Sequence, residues 1–573
     1  MEKIWLPKPS PSLSIVNSLG NELSINSAIA TLLAQRQVNT FENAREFFRP
    51  DLQLLHDPFL MKDMDRAVDR LSDALHKNEK ILIYGDYDVD GTTAVTLVYS
   101  FLRGLGAPCQ YYIPDRYTEG YGFSAQGVDF AKENGCSLIV TLDCGVRDGV
   151  KIDYAGSLGI DVIVCDHHLP ATLPNAIAVL DPKRPDCEYP YKGLSGAGVG
   201  FKMLQGLCIQ QSIDTEILYE YLDLVTISIG ADIVPLTGEN RILAFYGLKL
   251  LQQTQRPGIA AMLAKSGFKK KEISITDVVF ILAPRINAAG RIFSGKAAVE
   301  LLLAEKTDAE SLSEAIENYN ATRKGLDKEI TAQAIQHIDN DVFQRDSLST
   351  VVYNEGWHKG VVGIVASRLV ETYYKPTIVL VSDGEKMAGS ARSIEGIDLF
   401  ECLSECESSL IQFGGHTMAA GLSLLSQNFL DFRSKFDEVV RAKLNNVRPV
   451  PHIYYDLELD FDAITPRFFR LIKQFEPFGP ENLHPIFLAR NVKNASFTRT
   501  VGENHNHLKL HVAQVNNPNI VMEGIGFDLG HWCHKIKNGV AVDLLYALDE
   551  NTWNNKTSIQ LVVKDIRETT SST

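Results

Sequence analysis

The sequence predicts a multidomain α/β protein: a domain built on a parallel sheet, a second α/β domain joined to it by a long helix, and a C-terminal set of strands. Three observations predict this. Short β-branched runs recur with helical stretches between them, ILIY at 81–84, SLIVTL at 137–142 and DVIVCD at 161–166. That is the βαβ pattern of a parallel sheet covered on both faces. A charged segment from Asp308 to His337 keeps Leu312, Ile316, Tyr319, Leu326 and Ile330 at helical spacing. Beyond about residue 450, short alternating runs with polar turns take over, as in a small barrel or sandwich.

Taken in order, residues 1–75 read as a helical lead-in, with helical patterning at 23–37 and 61–75 around Pro50 and Pro58. Residues 76–305 form the parallel-sheet domain, with further helices expected at 219–233 and 241–251. The connecting helix occupies 306–345; about 30 residues at 1.5 Å each would span about 45 Å, although Gly325 weakens it. Residues 346–450 form the second α/β domain, with strand signals at 347–354 and 376–383 and a Gly-rich element, QFGGHTMAAGLSL, at 412–424. Residues 451–573 carry strands at 454–462, 485–492, 507–515 and 558–566.

Length and composition set the bounds. A chain of 573 residues holds roughly four domains. With 45 % hydrophobic and 22 % charged residues, wholesale disorder and fibrous repeats are excluded. A net charge of -15 rules out a globally basic coat, so a nucleic-acid groove must be local. The opening MEKIWLPKPS carries no apolar signal core, and no run reaches the roughly 18 apolar residues of a membrane span. Nine cysteines without a CxxC pair do not make a disulfide framework. These features place the protein in a reducing compartment, by default the cytoplasm.

The chemistry concentrates where strands end. Directly after the first strand the chain reads Tyr84-Gly85-Asp86-Tyr87-Asp88-Val89-Asp90-Gly91. Three alternating carboxylates repel one another and raise each other's pKa unless a cation intervenes, and hard divalent cations want oxygen ligands. An acidic surface turn is the bland alternative, disfavoured by the buried-type strand before the run and the apolar helix start TTAVTLVYSFL after it. A calcium loop fails, because no further ligands follow Gly91. SLIVTL runs into Asp143-Cys144-Gly145, and DVIVC into Asp166-His167-His168. Asp232, in GADIVPL, is a fourth acidic point, with Asp223 as its competitor. Asp88, Asp90, Asp143, His167 and Asp232 suit two octahedral-type ions bridged by a carboxylate. Such a pair generates a hydroxide and neutralises the leaving oxygen at a phosphate ester, whereas structural zinc prefers Cys and His.

With these motifs in hand, the sequence resembles the DHH phosphoesterase superfamily, and within it the RecJ family of single-strand-specific 5′→3′ exonucleases. The DxDxDG run is Asp86–Gly91, the DHH triplet is 166–168, the second acidic motif is TLDCG at 141–145, and the fourth is ADIVPL at 231–236 followed by GENR at 238–241. Further strings agree: IPDRYTEGYG at 113–122, ILAPRINAAGR at 281–291, GWHKGVVGIVASRL at 356–369, AGSARS at 388–393, QFGGHTMAAG at 412–421 and FEPFGPENLHP at 475–485. The likeness runs from about residue 45 to about 568.

The resemblance implies a DHH catalytic domain, a DHHA1-type second domain and an OB-like C-terminal β-barrel. It implies catalytic roles for Asp86, Asp88, Asp90, Asp143, His167, His168 and Asp232, with Asp88, Asp90, Asp143, His167 and Asp232 as ligands to two Mn²⁺ or Mg²⁺ ions. Arg116, Ser390 and Arg392 would hold a 5′-terminal phosphate, Arg285 and Arg291 would contact the scissile phosphate or the strand near it, and Gly414, Gly415 and His416 would lie near the DNA. Arg suits phosphate because its planar fork bonds it bidentately; for any one Arg the plain alternative is a surface ion pair. Arg490, Lys493, Arg499 and Lys509, facing the single nearby acid Glu503 among His505, His507 and His511, form a modest basic patch for a single-strand groove.

The implied function is a single-stranded-DNA exonuclease that releases 5′-mononucleotides in repair and recombination. It would act as a monomer, with single-strand-binding protein and a helicase as partners. Two other classes compete: a DHH phosphodiesterase for short oligonucleotides or cyclic dinucleotides, and a non-catalytic nucleic-acid-binding scaffold. The extra C-terminal strands argue against the first and the complete ligand set against the second. A dinucleotide-binding oxidoreductase is a third alternative, disfavoured because the turn after the first strand lacks GxGxxG and its acids would repel a dinucleotide.

Overall fold

The computed structural model describes residues 3–270, 272–382, 384–553 and 556–569. The chain opens with strand β1 (Ile4–Pro7) and short helices at Leu13–Leu23, Ser27–Gln35 and Phe41–Phe48. The parallel-sheet half follows, built on β2 (Ile81–Gly85), β3 (Cys109–Tyr112), β4 (Leu138–Leu142), β5 (Asp161–Cys165) and β6 (Ala178–Leu180). All four pairings are parallel, in the order β3-β2-β4-β5-β6. β2 and β4 are buried along their whole length, which is why they read as continuous apolar runs rather than alternating ones.

The helix Val89–Gly104 covers one face of this sheet together with Ile81, Ile83 and Val140. The helices Ala125–Glu133 and Gly149–Ser157 cover the other face, against Leu82, Tyr84 and Ile139. Chain connections therefore leave the neighbouring strands β2 and β4 on opposite faces. A crevice opens at the carboxyl ends of two strands arranged this way.

The helix Ala309–Asn340 is continuous through Gly325, whose Cα faces open space. Leu312, Ile316 and Tyr319 pack into the core of the first α/β unit, and Ile330, Ala334 and Ile338 into that of the second. Each end is thus held by a separate core, and one helix sets the spacing of both lobes.

The second unit contains β7 (Thr350–Asn354), β8 (Thr377–Ser382), β9 (Lys386–Arg392), β10 (Gln412–His416) and β11 (Ala419–Leu425). Their order is β10-β11-β9-β8-β7. β7 and β8 are parallel and the remaining pairs antiparallel. The Gly-rich element is thus a hairpin, and AGSARS lies mostly on β9.

β12 (His452–Tyr455) pairs in parallel with β1. Then come β13 (Leu457–Glu458), β14 (Phe487–Asn494), β15 (Arg499–Val501), β16 (His507–Gln514), β17 (Asn517–Gly526), β18 (Val542–Trp553) and β19 (Lys556–Glu568). They form an OB-like domain in the order β13-β14-β18-β19-β17-β16-β15, with β14 also pairing β16. β17 and β18 are not among the expected strands; in β17 one face carries Pro518, Ile520 and Met522 and the other mixes Asn517, Asn519 and Glu523 with Val521 and Ile525.

The lead-in divides between two cores. Val16, Leu19, Ile29, Leu32 and Leu33 pack with Phe461, Phe487 and Tyr546 of the OB-like domain. The helix Met64–His76 instead joins the core of the parallel-sheet domain.

Candidate metal centre and phosphate cleft

The crevice between β2 and β4 is where the acidic side chains converge. Asp88 caps the helix Val89–Gly104, its carboxylate accepting from Gly91 N at 3.0 Å. Gly91 is obligatory, because a Cβ there would lie 2.4 Å from the Asp86 carbonyl oxygen. Asp90 lies in the first turn of that helix and is buried. Its carboxylate accepts from Gly196 N (2.7 Å), Ala197 N (2.8 Å) and Ser228 Oγ (2.7 Å). The first two donors are the free amides at the start of the helix Gly196–Gln211, which favours an anion there. Sequence reasoning missed Ser195, Gly196 and Ser228; the string SGAGVG was the available signal.

Asp143 follows β4 at φ +59°. Its backbone presses so closely on Gly196 that a Cβ there would sit 2.6 Å from Asp143 Cβ. His167 Nε2 lies 3.0 Å from Asp143 Oδ1, 3.6 Å from Asp90 Oδ2 and 3.6 Å from Asp232 Oδ2. His168 Nδ1 is 4.0 Å from Asp143 Oδ1. The structure thus resolves the fourth acidic point: Asp232 enters the cluster, while Asp223 is bonded by Arg256 Nε at 2.7 Å.

Asp166 supports both histidines. One oxygen accepts from His167 N (2.7 Å), His168 N (3.1 Å) and His168 Nδ1 (2.8 Å), and the other from Val146 N (3.0 Å). Burial works against its charge, but the His168 bond and charge, then the Val146 N–H, hold its pKa down at about 2. His168 Nε2 then meets the Tyr121 hydroxyl at 3.1 Å, another contact the sequence did not reveal.

Two groups of ligand-capable atoms each lie within 4.8 Å of one another: Asp90, His167 and Asp232, and Asp143, His167 and His168. Burial, then Asp90 and Asp88, push Asp232 up to about 8. Burial, followed by neighbouring carboxylates, pushes Asp143, Asp86 and Asp88 up as well. Burial holds His167 down at about 4 against the pull of Asp90, so it is a neutral imidazole. Among the described residues, neither buried Asp86 carboxylate oxygen has a hydrogen-bond partner. Crowded carboxylates, orphaned oxygens and a neutral imidazole form a donor set that divalent cations would satisfy. The residues present fit such ions.

Beside this centre lies a cluster of cations drawn from both lobes. The Arg116 guanidinium stands 4.4 Å over the Tyr87 ring. Arg291 is bonded from Nη1 to the Gly360 carbonyl at 2.9 Å. Burial, then Arg116, Arg392 and Arg323, lower Arg291 to about 10, so cations from both lobes crowd together. A Cβ on Gly363 would sit 3.1 Å from Arg392 Nη2 and 3.2 Å from Ser390 Oγ. Glycine there lets the first turn of the helix Val362–Tyr373 approach both side chains. Arg116, Arg291, Ser390 and Arg392 are therefore brought together, with helix amides beside them.

Gly414, Gly415 and His416 lie on the edge strand β10, one strand beyond β11 from Ser390 and Arg392. His416 faces the parallel-sheet lobe: burial, then Arg147, His168 and Lys183, lower its pKa. Arg147 and Lys183 are cations the sequence reading passed over. Arg285 is placed differently. Its fork bonds Glu317 of the long helix at 2.7 and 3.3 Å and the Ile281 carbonyl at 2.8 Å. A phosphate would have to displace Glu317 to reach it.

The basic patch also changes character. Arg490 pairs with Glu458 at 2.8 Å, and Lys509 with Glu523 at 3.1 Å, acids brought in by neighbouring strands. What remains is more aromatic: Phe497 stacks on His511 at 4.9 Å and 9°, Arg499 lies 6.0 Å from the Phe497 ring, and Phe527 meets His507 edge-on. Phe497 and Phe527 are 42 % and 60 % exposed, a platform of the kind that single strands stack on.

Comparison with known proteins agrees with this geometry. The DHH family N-terminal domain matches residues 80–229, the DHHA1 domain residues 347–442 and the RecJ OB domain residues 455–565. The chain is 39 % identical to the single-stranded-DNA-specific exonuclease RecJ of Bacillus subtilis, over 97 % of this chain and 70 % of that protein. It is 34 % identical to the same-named protein of Escherichia coli, over 88 % and 90 %. The crystal structure of RecJ in complex with Mn²⁺ from Thermus thermophilus superposes with a TM-score of 0.84 at 26 % identity, covering 99 % of this chain and 80 % of that one. The corresponding Mg²⁺ complex gives 0.77 at 25 % identity, covering 99 % and 79 %.

Proposed function

The chain belongs to the DHH superfamily and, within it, to the RecJ family, and from that premise we propose that it is a metal-dependent exonuclease specific for single-stranded DNA. The observation that carries this reading is the convergence of Asp90, Asp143 and Asp232 on one neutral imidazole, His167, beside an arginine cluster shared by two lobes.

Asp88, Asp90, Asp143, His167 and Asp232 would hold two Mn²⁺ or Mg²⁺ ions, which when bound supply Lewis acidity toward the phosphate and a nucleophile at neutral pH. The chain's own residues do the rest. Asp166 fixes the tautomer and direction of the His168 ring, as second-layer carboxylates do, and anchors the backbone of His167. His168, its cation favoured by Asp166 despite burial, faces the developing charge on the phosphate. Asp86 sets the field behind the ligands. Arg116, Ser390 and Arg392 receive the 5′-terminal phosphate, Arg291 the strand next to it, and Gly414 and Gly415 let the backbone of β10 approach the strand beside His416. Arg285 is a scissile-phosphate contact only if Glu317 yields.

A terminal phosphate site beside the metal centre makes the reaction start at 5′ ends and release 5′-mononucleotides. Positioning and charge neutralisation account for most of the barrier reduction. The ring of pairings β14-β18-β19-β17-β16-β14 supports a closed barrel, and Phe497, Phe527, Arg499 and Lys493 would stack and neutralise the strand sequence-neutrally. A substrate of this class is produced by strand-separating enzymes and covered by single-strand-binding protein. That places the activity in repair and recombination, with those two as partners of a monomer. No helix among the described residues is long and apolar enough to cross a membrane, and all nine cysteines are free, which supports the cytoplasm.

The test uses 5′- and 3′-labelled single strands, a circular strand and blunt duplex, with and without Mn²⁺. Labelled mononucleotide should appear first from the 5′ label, only with metal, while the circle and duplex survive. A ladder from the 5′ label, or cleavage of the circle at a comparable rate, overturns the assignment.

A further inference from the structure

Arg241 is 4 % exposed, yet every hydrogen bond of its guanidinium goes to a backbone carbonyl. Nη1 reaches Phe475 O (2.8 Å) and Pro477 O (3.3 Å), and Nη2 reaches Glu476 O (2.9 Å), Phe47 O (3.1 Å) and Gln474 O (3.4 Å). Nε also bonds Phe47 O at 3.3 Å, and the guanidinium lies 4.0 Å over the Phe47 ring. One side chain of the catalytic domain thus gathers the helix Phe41–Phe48 of the lead-in and a loop of the OB-like domain. The loop is stiff in itself: Gly479 and Asn482 exchange backbone bonds at 3.1 and 3.0 Å, and Asn482 Nδ2 caps Phe475 O and Pro477 O at 2.8 and 2.9 Å.

Arg241 belongs to the helix Gly238–Gln252, which begins only six residues after Asp232. The intervening segment is fastened to the same loop. Leu236 N donates to Pro480 O at 2.8 Å, and Gly479 lies so close to Leu236 that a Cβ would meet its side chain at 3.0 Å. From the other side, Asn240 Nδ2 holds Pro235 O (2.9 Å) and Gly193 O (2.6 Å), and Tyr191 OH holds Pro235 O (3.0 Å). Gly193 precedes Ser195, whose hydroxyl meets Ser228 Oγ at 2.5 Å, and Ser228 bonds Asp90. Asp232 itself has little else to fix it: it ends the helix Leu222–Ala231, it is about one-third exposed, and Ile233 after it turns at φ +57°.

We propose that the loop 474–483 of the OB-like domain, clamped by Arg241, is a positioning device for the metal centre: docking of that loop fixes the segment 232–237 and so holds Asp232 toward His167. This rests on the reading of Asp232 as a metal ligand. The C-terminal domain then acts on the chemistry as well as on strand binding. Coupling of this kind is reciprocal, so metal binding must tighten the docked loop.

Reciprocity supplies a test in the wild-type full-length chain. Hydrogen exchange is followed with and without Mn²⁺. Amides of 86–91 and 232–241 should slow on metal addition, and so should those of 474–483, although the loop supplies no ligand. In parallel, Arg241→Lys keeps the charge but loses the fork that reaches several carbonyls. It should weaken Mn²⁺ binding about 5-fold, the lower end of ordinary couplings, read as free Mn²⁺ by electron paramagnetic resonance. Lys535→Ala is the control; it breaks the 2.8 Å pair with Glu568 elsewhere on the OB-like domain and should leave Mn²⁺ affinity unchanged. Protection at 86–91 and 232–241 with none at 474–483 overturns the coupling, as does a folded Arg241→Lys with wild-type affinity. If Arg241→Lys does not fold, the wild-type exchange result decides. Absence of Mn²⁺ binding altogether would instead overturn the reading of the site itself.

Discussion

Replacing Asp166 by Asn tests whether the first residue of the DHH triplet acts by orienting the two histidines. The carboxylate is buried and accepts four hydrogen bonds, three on one oxygen and one on the other. Its pKa of about 2 against an ordinary 3.8 corresponds to about 2 kcal/mol of net preference for the anion. The sign follows from the direction of the shift. A carboxyl depressed in the folded state contributes stability that is fully present above its unfolded pKa and is lost as pH falls toward 2, so at pH 7 the whole contribution is at stake. Asn has one acceptor oxygen. If that oxygen serves the histidines, its amide group meets Val146 N–H donor to donor, and a buried unsatisfied donor costs about 1–3 kcal/mol. The expected loss is about 2–4 kcal/mol in the urea unfolding of the catalytic domain at pH 7. The His168 pKa, raised in the wild type by Asp166 against its burial, should fall when followed by imidazole NMR. Mononucleotide release should drop about 10–100-fold, the range for outer carboxylates that orient the histidines of a metal site. An Asn variant with a wild-type unfolding midpoint and an unchanged His168 pKa would refute the role assigned to Asp166.

Three further outcomes are expected. Asp143→Ala should abolish Mn²⁺ uptake and turnover while the metal-free melting temperature stays level or rises, because the buried carboxylates repel one another; metal analysis beside a melting curve checks this, and retained metal with full turnover refutes it. Asp232, raised to about 8 in the metal-free protein, must ionise to ligate, so Mn²⁺ affinity should climb from pH 6 to pH 8 and binding at pH 7 should release protons; calorimetry in buffers of different ionisation enthalpy reads the number released, and a value of zero contradicts the assignment. Arg392→Ala should lose charge-assisted bonds to a 5′-phosphate worth about 1.5–3 kcal/mol each, raising KM for 5′-phosphorylated strands about 10–100-fold with a smaller effect on 5′-hydroxyl strands; equal effects on both substrates would place Arg392 away from the terminus.

The parallel sheet and the acids and histidines at its strand ends were legible because each signal is local. A strand buried on both faces must be a continuous apolar run, and the groups it presents at its carboxyl end follow it directly in sequence. Asp86–Asp90, Asp143 and His167–His168 could therefore be read as one site before any contact was known. The long helix was legible for the same reason, since its apolar spacing persists through Gly325. Tertiary structure alone decided the matters that depend on residues distant in sequence. Asp232 was separated from Asp223 by which of them meets His167 and which meets Arg256. Arg285 was claimed by Glu317, 32 positions away. Arg490 and Lys509 were neutralised by acids on neighbouring strands, so a patch that is basic in one dimension became largely aromatic in three. The lead-in showed only helical spacing, yet β1 pairs with β12 some 450 residues later. Periodicity tells a segment which face to bury and never names the partner that buries it, whereas ion pairs, capped carbonyls and strand partners are set by the whole fold.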